Sequence, residues 1–112
     1  MIRRAALAAL LLLAACGKPL PPEKSAYAGD WRAANMKLRI TQEGMVEYKR
    51  EEKLAGVRTS SEVNGPLRRF EGDNFVVGIP GISTTFVVSR APYQHEGRWK
   101  MVVDGVELWR IQ

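Results

Sequence analysis

From Tyr27 onward the chain offers no credible helix. It offers short runs of β-branched and aromatic residues, broken roughly every 8–12 residues by Gly, Asn or Asp, the punctuation of an all-β chain. Met36-Lys37-Leu38-Arg39-Ile40-Thr41 alternates strictly, with Met36, Leu38 and Ile40 on one face and Lys37 and Arg39 on the other. That period of two marks a strand with one buried face. Gln42-Glu43-Gly44 then turns the chain, and Met45 to Arg50 returns with Val46 and Tyr48 facing inward.

The remaining runs extend this pattern. Glu51 to Gly56 reads as a charged loop, Val57 to Val63 as a polar strand near an edge, and Asn64-Gly65-Pro66 as a turn. Leu67 to Phe70 is short and basic. Asn74 to Ile79 is apolar on both faces, which predicts a central strand. Pro80-Gly81 breaks it, Ser83 to Arg90 follows, and Ala91 to Gly97 is expected as a loop. Trp99 to Val103 and Val106 to Arg110 flank Asp104-Gly105, a strong hairpin signal because both central positions of a type I′ turn need φ > 0. With a short first strand around Trp31, the reading is an antiparallel meander of about eight short strands, a small closed barrel or a sandwich, over residues 26–112.

The N-terminus carries a different kind of information. A basic start, Arg3-Arg4, precedes an unbroken apolar run from Ala5 to Ala15, the parts of a secretory signal. The run is too short for a transmembrane helix, which needs roughly 20 apolar residues. Leu13-Ala14-Ala15-Cys16 closes it and resembles the lipobox of bacterial lipoproteins, whose cysteine is lipidated before the signal is cut in front of it. The resemblance implies a signal peptide at 1–15 and a mature chain starting at lipidated Cys16, held at the cell membrane and facing the periplasm. In enterobacteria an acidic residue after that cysteine tends to retain a lipoprotein in the inner membrane. Gly17 stands there, so the resemblance favours the outer membrane. Residues 16–25, with Pro19, Pro21 and Pro22, are expected as an extended spacer that lifts the domain off the bilayer, or alternatively as a segment packed along it.

Cys16 is the sole cysteine, so with it lipidated no disulfide is available and the domain rests on its apolar core. The formal charge of +5 drops by two when Arg3 and Arg4 are removed. The mild excess that remains suits a soluble surface with a leaning toward anionic lipid or cell-wall polymer, and it is not a nucleic-acid footprint.

Tyr27-Ala28-Gly29-Asp30-Trp31 opens the domain, and Leu108-Trp109-Arg110 nearly closes it. These ends resemble the lipocalin-like barrels, in which a Gly-x-Trp motif begins the first strand, its Trp plugs the barrel base, and a basic residue of the last strand covers the indole. The resemblance implies that Gly29 and Trp31 form the motif, with Arg110 or Arg98 as the covering cation. It also admits one small apolar ligand, although an eight-stranded interior can equally be filled by its own side chains.

Catalytic chemistry is not legible in the sequence. His95, the only histidine, stands in a polar loop without partners, and no His, Asp or Glu cluster has metal-ligand spacing. No cofactor or metal is expected. Ile79 and Ile82 read as buried at the barrel mouth, or as a partner surface if they face solvent; Arg68 and Arg69 are the best basic spot for an anionic partner. The expected function is a non-enzymatic binding module of the cell envelope that contacts envelope proteins or cell-wall polymer. A carrier of a small apolar ligand and an inhibitor of lysozyme or protease are the alternatives.

Overall fold

The structure, a computed structural model, describes residues 17–111; Leu13–Cys16 and the expected signal peptide lie outside them. A 3-10 helix, Pro22–Tyr27, leads into nine strands: β1 Gly29–Ala33, β2 Met36–Ile40, β3 Met45–Leu54, β4 Val57–Glu71, β5 Asn74–Ile79, β6 Ile82–Phe86, β7 Val88–His95, β8 Arg98–Val103 and β9 Val106–Ile111. They form one sheet in the order β6-β5-β4-β3-β2-β1-β9-β8-β7, and every neighbouring pair is antiparallel. The expected all-β antiparallel meander is present, as a sheet curled into a half-barrel.

Pairing of the first strand with the last, Trp31 opposite Arg110, sets the two side by side in mid-sheet. The two end strands of the order, β6 and β7, are consecutive in the chain and joined through Val87 alone. One bent segment therefore pairs with β5 along its first half and with β8 along its second. β4 makes a similar exchange, pairing with β3 from Val57 to Pro66 and with β5 from Leu67 to Glu71. Strands that switch partners at a bend are the way a sheet turns a corner.

Several sequence expectations need correction, each for a local reason. Nine strands carry the expected meander of about eight, but their bounds differ: the run expected at Ser83–Arg90 divides at Val87, and Val57–Val63 and Leu67–Phe70 join in one strand. Glu51–Leu54 is strand rather than loop: Ala55 and Gly56 both have positive φ, at 52° and 79°, and close a two-residue turn. Ala91–His95 is likewise strand, closed by Glu96 and Gly97 at 52° and 78°. Asn64-Gly65-Pro66 lies within β4 and reverses nothing; Pro66 ends the β3 ladder, where a missing N–H is tolerated. β5 is second from the end of the order rather than central, although Phe75, Val76 and Val77 are all buried. Asp104-Gly105 turns as expected, with φ of 47° and 78°.

The packed part of the chain also begins ahead of the boundary expected near Ser25-Ala26. Leu20 is buried in the core, and its N–H donates to the Gln42 carbonyl at 2.9 Å. The 3-10 helix then docks through Lys24, whose Nζ donates to the Gly72 carbonyl at 2.9 Å and lies 5.1 Å from the Phe70 ring centroid.

Alternation directs Met36, Leu38, Ile40, Val46 and Tyr48 inward, where they meet Trp31, Phe75, Phe86, Met101, Val103 and Leu108. Phe75 and Phe86 stack at 5.0 Å, and Tyr48 meets Phe86 edge-on at 4.8 Å. Each large apolar side chain so buried contributes about 1.5–3 kcal/mol relative to exposure. This cluster, rather than a covalent staple, holds the described domain.

Candidate functional site

Trp31 and Arg110 meet at the β1–β9 seam. Trp31 is fully buried, and its indole Nε1–H donates to the Tyr27 carbonyl at 2.9 Å. Arg110 Cζ lies 5.7 Å from the Trp31 ring centroid and 4.9 Å from that of Trp99, with Nη1 donating to the Ala28 carbonyl at 3.3 Å. Arg98 opens β8 opposite His95 and is exposed. Gly29 makes this geometry feasible: its φ is +148°, and a Cβ there would overlap Arg110 Cδ. Between them, Asp30 faces outward and accepts two hydrogen bonds from Arg32, at 2.8 and 3.1 Å. Those bonds lower the carboxyl pKa below its ordinary range. The cluster therefore has a structural use, with its aromatic and cationic groups directed at one another.

A second constellation gathers where the described chain begins. Gly17 and Lys18 lie against the turn at Gly44; the Lys18 carbonyl occupies the space that a side chain at Gly44 would fill. They share an open cleft of about 450 Å³ with Pro66, Arg68, Arg69, Ile79 and Pro80. Sequence reasoning singled out Arg68, Arg69 and Ile79 separately, and the fold brings them together because β4 and β5 pair there with an irregular register around Arg68. Arg68 is half-buried, whereas Arg69 is exposed and bound to Glu71 at 2.8 Å. Ile79 and Ile82 pair across the tip of the β5–β6 hairpin. They are 54% and 74% exposed, so the reading that buries them at a barrel mouth is corrected in favour of the solvent-facing one.

A third feature was missed by sequence reading, which divided it into a loop and an edge strand. β2 contributes its last pair at Met36↔Arg50, and beyond that point β3 and β4 continue alone to Leu54↔Val57. From Glu51 to Glu62 every residue of this two-stranded arm is exposed. Its tip presents Leu54 and Val57 at 78% and 61% exposure. From Met45↔Pro66 to the tip the ladder runs ten paired positions, a length of about 30 Å.

His95 stands at the exposed end of β7, with Nε2 3.7 Å from a Glu96 carboxylate oxygen. Among the described residues no group of three His, Cys, Asp or Glu side chains is placed to hold a metal ion. No helix among them is long and apolar enough to cross a membrane. Comparison with protein families, with curated proteins and with solved structures finds no match.

Proposed function

We propose that this chain is a lipid-anchored lipoprotein of the bacterial envelope, facing the periplasm from the outer membrane, whose domain is a non-enzymatic binding module. The observation that carries the binding part is the β3–β4 arm. Two strands reach out from the packed body, keep both ladder edges free of a third strand, and end in exposed Leu54 and Val57. Exposed strand edges are templates for a partner's backbone, and alternate side chains then set specificity. The interior of the curl is filled by Trp31, Phe75, Phe86 and their neighbours, which favours this module over the carrier of a small apolar ligand. The anchoring part rests on the lipobox resemblance of Leu13-Ala14-Ala15-Cys16.

Two experiments test the two parts separately. A photo-cross-linking residue placed at Leu54 in living cells is expected to yield a discrete adduct with an envelope protein or cell-wall polymer. An absence of adducts above background would overturn the binding role. Cys16→Ser is expected to move the protein out of the membrane fraction, and unchanged fractionation would overturn the anchor.

A further inference from the structure

We propose that the cleft at Gly17, together with the tip of the β5–β6 hairpin, is a docking face for an anionic phospholipid bilayer. This inference rests on the anchoring reading. A chain lipidated at Cys16 would attach its acyl groups one residue before Gly17, and consecutive Cα atoms are about 3.8 Å apart. Gly17 is seated against the Gly44 turn rather than at the end of a free spacer, and Leu20 is buried three residues later. The anchor therefore cannot lift the domain away, and whatever surrounds Gly17 must lie at the membrane surface.

What surrounds it has the chemistry of a bilayer interface. Ile79 and Ile82 project from a hairpin tip with Pro80 between them, an apolar group that no other part of the chain covers among the described residues. Lys18, Arg68 and Arg69 stand in or beside the same cleft. Two carboxylates border them: Glu71, which is paired with Arg69, and Glu43 in the turn against which Gly17 packs. The apolar tip therefore enters the acyl boundary, while Lys18 and Arg68 meet the phosphates. Apolar burial and attraction to anionic lipid are the two contributions by which interfacial segments bind. The β3–β4 arm, whose tip is about 30 Å along the ladder from Pro66, is left free for its partner.

The test uses the lipidated full-length protein, purified in detergent and reconstituted into phosphatidylethanolamine–phosphatidylglycerol vesicles. With Cys16 acylated, Ile82→Cys and Leu54→Cys each carry a single free thiol for an environment-sensitive fluorophore. Flotation with the vesicles reports anchoring; emission and quenching by bilayer-embedded nitroxide report docking. The expected result is flotation of both variants, with a blue-shifted, quenched label at position 82 and an unquenched, water-like label at position 54. The blue shift at 82 is also expected to be lost when Arg68→Glu and Arg69→Glu are combined with it, while flotation persists. Flotation with both labels in water would overturn the docking face and leave the anchor standing. Quenching at 54 instead of 82 would overturn the orientation. A protein that does not float would overturn the anchoring reading, and this inference with it.

Discussion

Arg110 runs through the space that Gly29 leaves by having no side chain. A Cβ at Gly29 would overlap Arg110 Cδ, and the backbone there holds a φ of +148° that other residues rarely adopt. Gly29→Ala is therefore expected to destabilise the domain by about 1–3 kcal/mol, from backbone strain together with displacement of the arginine. Chemical denaturation measures it. Combining it with Arg110→Ala removes the overlap, so the double variant should lose less than the sum of the two singles. Strict additivity would show that the two residues do not constrain each other.

The indole beneath that arginine is the largest fully buried side chain of the core. Trp31→Ala should cost about 3–5 kcal/mol, from lost burial and the cavity left behind. Trp31→Phe keeps part of the volume but leaves the Tyr27 carbonyl without its 2.9 Å donor. It should fall between wild type and alanine in thermal unfolding followed by circular dichroism. An unchanged midpoint for Trp31→Ala would remove Trp31 from the core.

Alkaline pH offers an independent handle on the docked N-terminal segment. Burial, with a smaller contribution from the nearby Asp73 charge, pushes the Tyr27 hydroxyl up to about 12, and its O–H donates to the Asp73 carbonyl at 2.9 Å. The unfolded chain releases this proton near 10, while the folded chain holds it to about 12. The resulting stability is complete below pH 10 and is lost progressively as pH rises from 10 to 12. Tyr27→Phe should flatten that decline in urea titrations, without abolishing it, because burial also raises Tyr48. An identical slope in the variant would mean that Tyr27 titrates as in water.

The elements legible in the sequence are those whose turn chemistry and alternation agree. Met36–Ile40 shows both and forms as read, with the burial pattern that alternation dictates. Asp104-Gly105 is a standard pair for a turn with two positive φ values. The same backbone is built at Ala55-Gly56 and Glu96-Gly97, where the first residue is not a typical turn former. The charged stretches before those glycines consequently read as loops, and the exposed arm was missed. Asn64-Gly65-Pro66 misled in the opposite direction, because the residues that favour a reversal also suit a corner within one long strand. The basic cleft could not be assembled from the sequence, since its parts lie at residues 17–18, 66–69 and 78–80 and meet only through the β4–β5 ladder and the packing of Gly17 and Lys18 on the Gly44 turn. Leu20 was hidden for a related reason: three prolines around one leucine carry no periodicity.

That leucine supplies the sharpest test of where the folded unit begins. Leu20 is 8% exposed, joins the core cluster, and is fixed by its backbone bond to Gln42. If residues 17–25 were a spacer, Leu20→Ala would leave stability unchanged. As a core residue it should cost about 2–3 kcal/mol, toward the low end for leucine because the site lies at the rim of the cluster and can partly collapse. The substitution should also expose the segment to limited tryptic cleavage after Lys24, since release of Leu20 loosens the helix that Lys24 ties to Gly72. Protection at Lys24 in wild type, together with rapid cleavage there in the variant, is the expected pair of results. Equal cleavage in the two proteins would return the segment to the role of a free tether and remove the fixed placement of Gly17 on which the docking face depends.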